Sequence, residues 1–73
     1  MATRTKIFRG SLEKRQKAAD AWEKTMRSIS GVNYVLEGYA FDDGVTTIYY
    51  SAGAVPPELA KEETLDEHAL SHY

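Results

Sequence analysis

The sequence predicts an α+β fold in which one amphipathic helix packs on a small antiparallel sheet, in the order β-α-β-β. Three observations lead to it. Val32 to Ser51, VNYVLEGYAFDDGVTTIYYS, holds two runs rich in β-branched and aromatic residues around Asp42-Asp43-Gly44, the pattern of a β-hairpin. Upstream, Leu12, Ala18, Ala19, Trp22, Met26 and Ile29 fall on one stripe at helical spacing. Thr3 to Arg9, TRTKIFR, is short and contains Thr, Ile and Phe; it supplies the third strand that a hairpin needs, since two strands alone are marginal in water.

Each element has its own signals. In the first strand Ile7 and Phe8 are adjacent, so they point to opposite faces; the alternative for this segment is a basic arm. Ser11 is a favoured N-cap and Glu13 lies in the first turn, where the helix dipole favours an acid. The helix is expected over Leu12 to Ser30, with Gly31 free to take the left-handed conformation beyond it. At the helix surface Glu13–Lys17, Asp20–Lys24 and Glu23–Arg27 are spaced i,i+4 with the acid first, the favourable order. Arg15 projects near the apolar stripe, where its stem can lie on apolar surface and its head reach solvent or an acid.

For the hairpin a three-residue loop, Asp42-Asp43-Gly44, places Phe41 opposite Val45. One face then carries Tyr34, Leu36, Ala40, Ile48 and Tyr50, and the other Val35, Tyr39, Phe41, Val45 and Tyr49. A two-residue Asp43-Gly44 turn regroups these sets. Gly38, inside a strand, marks a bulge or a close backbone approach. Pro56-Pro57 ends the sheet, and Pro57 can open a short helix. Residues 1–61 form the single domain and residues 62–73 an acidic, flexible tail.

Composition narrows the function. A chain of 73 residues without cysteine has a small core, no disulfide and no thiol chemistry. No apolar run matches a membrane span and the N-terminus has no signal-peptide core, so a cytoplasmic location is expected. The net charge of −2 conceals a division: residues 1–30 carry eight Lys or Arg against three acids, and residues 31–73 one Lys against eight acids. His68 and His72 are spaced i,i+4, but Ala69 stands where a metalloprotease helix needs glutamate, so no metal and no cofactor is expected. No histidine is placed to activate Ser11, Ser28, Ser30 or Ser51, and no Gly-rich phosphate loop is present. The expectation is a non-enzymatic binding module.

One helix covers only one face of the ribbon. The docking surface is therefore expected at Tyr34, Val35, Tyr39, Phe41, Val45 and Tyr49, with Phe8 as an added member. Arg4, Lys6, Arg9, Lys14 and Arg15, clustered at the first strand and the first helical turn, are expected to supply electrostatic contacts beside it. Three partners compete for this surface: another protein, a nucleic acid stacked on the tyrosines, and a second copy of the chain.

In its length, its start at Met1, its basic helical half and its acidic tail, the chain resembles the small early regulators with which a lytic Xanthomonas phage takes control of host RNA polymerase. The resemblance implies a non-enzymatic protein of the host cytoplasm that binds the N-terminal region of the polymerase β′ subunit near the RNA exit channel. It further implies inhibition of σ-dependent initiation at host promoters and read-through of intrinsic terminators. Contact with nascent RNA or DNA is implied only within that complex, and neither membrane nor small-molecule substrate.

Overall fold

The computed structural model describes residues 2–65. Its elements are β1 (Arg4–Arg9), α1 (Leu12–Ser28), β2 (Val35–Asp42), β3 (Val45–Ser51), α2 (Pro57–Ala60) and β4 (Glu63–Thr64). They form a four-stranded sheet in the order β2-β3-β1-β4. β3 is antiparallel to both of its neighbours and β4 is parallel to β1. The α+β class and the β-α-β-β order are those expected, with one short strand added at the C-terminal end.

Ser11 caps α1, its side chain accepting the Lys14 backbone N–H at 3.4 Å. The helix ends at Ser28 rather than Ser30, and Gly31 takes φ 90° shortly after. Ala19, Trp22 and Met26 face the sheet and bury against Phe8, Ile48 and Tyr50. Leu12 does not join them and is 53% exposed. One turn on, Arg15 takes that place over the sheet, where its guanidinium meets the Thr46 hydroxyl.

Trp22 is the centre of the core. Its ring stands edge-on to Phe8, Tyr34 and Tyr50 at centroid distances of 6.2, 5.4 and 5.1 Å, the favoured aromatic geometry. Its indole N–H donates to the Leu59 carbonyl at 2.7 Å, which fastens α2 to the core. The return from β3 runs close to the end of α1: Gly53 N–H donates to the Val32 carbonyl at 2.6 Å. A Cβ on Gly53 would lie 2.7 Å from the Gly31 carbonyl oxygen, closer than backbone permits.

The hairpin differs from the expected three-residue loop. Asp42 pairs with Val45, so the turn is Asp43-Gly44, with Gly44 at φ 73°. Phe41 pairs with Thr46, Ala40 with Thr47 and Tyr39 with Ile48. Side chains directly opposed across a ladder share a face, so Tyr39 and Phe41 move to the helix side and Ala40 to the open side. A bulge between Leu36 and Gly38 then returns the register, with Leu36 opposite Tyr50 and Val35 opposite Ser51. The shorter turn and the extra residue at Glu37 cancel, so only the distal half of β2 is inverted.

The boundary expected at residue 61 also moves. Glu63-Thr64 pairs with Phe8-Arg9 of β1, and the Leu65 N–H donates to the Arg9 carbonyl at 2.7 Å. Glu62 accepts from Arg9 Nε at 2.5 Å, and Glu63 Oε2 lies 2.9 Å from Lys6 Nζ. Lys6 is fully buried, bonded also to the Lys61 carbonyl, with Nζ 5.3 Å from the Phe8 ring centroid. Glu63–Thr64 are therefore a strand of the sheet, with Glu62 and Leu65 bonded to β1 on either side of it. His68 and His72 lie outside the described residues. Among the described residues no helix is long and apolar enough to cross a membrane.

Two outcomes test this packing. Glu63→Ala strips the buried Lys6 of its acid and is expected to cost about 2 kcal/mol; an unchanged urea midpoint would place Glu63 outside the cooperative unit. Gly53→Ala is expected to lower stability by more than about 1 kcal/mol through its overlap with the Gly31 carbonyl, read from the same denaturation curves.

Candidate protein-docking site

Among the described residues β2 forms one edge of the sheet, with β3 on one side of it and no strand on the other. Exposed apolar surface collects there. Of the six exposed large hydrophobic residues among those described, Val35, Leu36, Tyr39 and Phe41 lie on β2. Phe41 is 62% and Tyr39 42% exposed. Their rings stack at a centroid distance of 5.6 Å and an interplanar angle of 17°. Tyr39 and Phe41 sit at positions i and i+2 of one strand, which is what puts both on one face. They form one wall of a groove of about 290 Å³ whose opposite wall is α1 at Arg15, Gln16, Ala19 and Asp20.

The groove is held open by buried polar contacts. Glu23 of α1 is buried, and its two carboxylate oxygens accept from the Tyr34 hydroxyl at 2.7 Å and the Tyr39 hydroxyl at 2.8 Å. Arg27 approaches the same carboxylate at 3.7 Å. A buried carboxylate needs such partners to offset its desolvation. Burial, the hydrogen bond to Glu23 and the charge of Glu23 push the Tyr39 hydroxyl up to about 12 and raise Tyr34 as well. At the other end Arg15 Nε donates to the Gly10 carbonyl at 2.8 Å and Nη1 to Thr46 Oγ1 at 2.9 Å. Gly10 N–H in turn donates to the Gly44 carbonyl at 3.1 Å, so the start of α1 is tied to the hairpin turn.

The residues expected at a docking surface divide. Val35, Tyr39 and Phe41 are exposed on β2. Tyr49 is exposed and Val45 half-buried on the open face of β3, away from the groove. Phe8 is fully buried against Trp22 and is a core residue, because the helix covers the β1 face that carries it. Tyr34 is half-buried, packed on Trp22 and bonded to Glu23, so it supports the site from below.

The basic cluster does not form. Lys6 and Arg15 are buried and bonded within the fold. Arg9 is paired with Glu62, and Arg4 Nη2 donates to the Gly53 carbonyl at 3.0 Å. Lys14 is exposed on the first turn of α1. The acids that neutralise β1 come from residues 62–63, which were expected to lie in a tail. Sequence reasoning missed Glu23 and Asp20 as site residues. Glu23 has a favourable i,i+4 partner in Arg27, and that spacing reads as solvated surface; its tyrosine partners come from a separate element and carry no local signal.

Among the described residues no three His, Cys, Asp or Glu side chains converge. Comparison with known proteins finds no match: no protein-family model fits the chain, and neither a curated protein nor a solved structure matches it.

The tyrosine clamp predicts a pH dependence. A hydroxyl whose folded pKa exceeds its unfolded value of 10.0 stabilises the fold below pH 10, and that contribution is lost as pH rises toward about 12. Tyr39→Phe removes the titrating group, so the loss of stability across this window should become shallower. Urea denaturation at a series of alkaline pH values checks it; identical slopes for the two proteins would mean that the clamp does not couple Tyr39 to folding.

Proposed function

We propose that the chain is a non-enzymatic regulator that acts by binding another protein through β2 and the groove beside it. The observation that carries this reading is that, among the described residues, four of the six exposed large hydrophobic residues lie on one edge strand, with Tyr39 stacked on Phe41. Exposed apolar surface of this kind marks interaction sites, and aromatic anchors dominate their energetics. The partner we propose is bacterial RNA polymerase, at the N-terminal region of β′, with inhibition of host promoter initiation and terminator read-through as the consequence. The resemblance in size, charge division and domain make-up supports that part. The nucleic-acid reading loses ground, because Lys6 and Arg15 are buried within the fold and Arg4 and Arg9, though exposed, are bonded to the Gly53 carbonyl and Glu62.

The test is binding of the purified chain to polymerase core enzyme and to an isolated β′ N-terminal fragment. Wild-type chain should bind both, and Phe41→Ala should weaken binding by about 2 kcal/mol while leaving the thermal unfolding midpoint in place. Equal affinity of Phe41→Ala and wild type would remove the β2 aromatics from the interface. Failure of wild type to bind either would reject polymerase as partner.

A further inference from the structure

The free edge of β2 carries more information than its exposed aromatics. Natural sheets protect long edges with Lys and other charged side chains, Pro, β-bulges or very short strands. The opposite edge, β4, is two residues long. β2 is eight residues long and contains neither Lys nor Pro. No Lys or Arg occurs anywhere from residue 28 to residue 60, whereas Glu37, Asp42 and Asp43 lie on β2 or in its turn. The bulge is confined to the Leu36–Gly38 step, and Gly38 to Asp42 pair with β3 in unbroken register. Alternate residues of this stretch direct their N–H and C=O groups away from β3.

From this we infer that β2 accepts an extended, positively charged segment of the partner protein as an additional strand, with a Lys or Arg side chain laid over Tyr39–Phe41. This rests on the protein-binding reading above and names its chemistry. Main-chain hydrogen bonds along a sheet edge supply affinity and alternate side chains supply selectivity. A cation over a tyrosine ring already occurs within the fold, where the Arg27 guanidinium lies 5.1 Å from the Tyr34 ring centroid. The groove adds the Asp20 carboxylate to the Tyr39–Phe41 wall. The Arg15 guanidinium that lines the same groove is buried and turned onto Gly10 and Thr46. Self-pairing of β2 across a two-fold axis is the competing use of this edge, and it would offer no cation to the acids there, because β2 contains no Lys or Arg.

The probe is a blocked peptide of about seven residues, the length of an ordinary strand, alternating arginine and valine, titrated into the isotope-labelled chain. Three controls accompany it: the glutamate–valine peptide, the arginine–valine peptide with alternate backbone nitrogens methylated, and the Phe41→Ala chain. Binding of the first peptide should slow hydrogen exchange of the outward β2 amides and weaken as salt rises. The glutamate peptide and the methylated peptide should each bind at least about tenfold more weakly, as should the arginine peptide to Phe41→Ala, a loss of the size expected for an aromatic–cation anchor. Equal binding of the methylated peptide would overturn strand addition, and equal binding of the glutamate peptide would overturn charge selection. A dimeric chain whose outward β2 amides are already protected would overturn the proposal in favour of a second copy. If polymerase binds the chain and the arginine peptide does not, the strand mode fails and the function stands. If the peptide binds and polymerase does not, the strand mode stands and the polymerase assignment fails.

Discussion

The fold depends on the burial of one side chain, Trp22. In a chain this short a single layer of apolar contacts must hold every element. The indole does so by touching four segments at once: Phe8 of β1, Tyr34 before β2, Tyr50 of β3, and the Leu59 carbonyl of α2. Each apolar contact of this kind contributes on the order of 1 kcal/mol beyond area burial. The indole N–H carries as much weight as the ring, because without the Leu59 acceptor it would be a buried donor with no partner. α2 has no buried residue of its own. Its place follows from that hydrogen bond and from the partly buried Leu59 side chain.

Around this centre the fold buries three charged side chains, Lys6, Arg15 and Glu23. Buried charges are poor sources of net stability but strict in what they accept. Each here joins segments distant in sequence. Lys6 brings residues 61–63 to β1, Arg15 joins the start of α1 to β3, and Glu23 holds Tyr34 and Tyr39 against α1. An alternative packing of the same apolar residues would leave one of these charges without its partner, at a cost of several kcal/mol. The apolar stripe supplies the attraction between helix and sheet, and the three charges select the arrangement.

What was legible in the sequence was whatever local pattern determines. The α1 stripe at Ala19, Trp22 and Met26 follows from 3.6-residue periodicity, and the hairpin from two β-rich runs around a turn. Gly38 marked the bulge as the one glycine inside a strand. The grouping of hairpin faces was not legible, because it depends on whether the turn has two or three residues, and Asp-Asp-Gly permits both. That single residue decides whether Tyr39 and Phe41 flank the helix or occupy the far face. The basic cluster misled for a related reason. Arg9 and Lys6 looked unpaired because their acids, Glu62 and Glu63, lie more than fifty residues away, and no rule of local spacing reaches that far.

The same inversion explains why the aromatic surface is a groove and not a flat sheet face. Had the three-residue loop formed, Tyr39 and Phe41 would project from the open side, with no wall beside them. The two-residue turn sends them toward α1, and Glu23 then fixes the Tyr39 ring by its hydroxyl while Phe41 stacks on it. Exposed rings on an unpaired edge are ordinarily an aggregation hazard. Under the strand-addition proposal the acids Glu37, Asp42 and Asp43 on β2 and its turn would select a positively charged strand over an acidic one. The division of charge along the sequence places the acids of residues 37–43 on β2 and its turn, while of the N-terminal cations Lys6 and Arg15 are buried within the fold and Arg4, Arg9 and Lys14 stay at its surface.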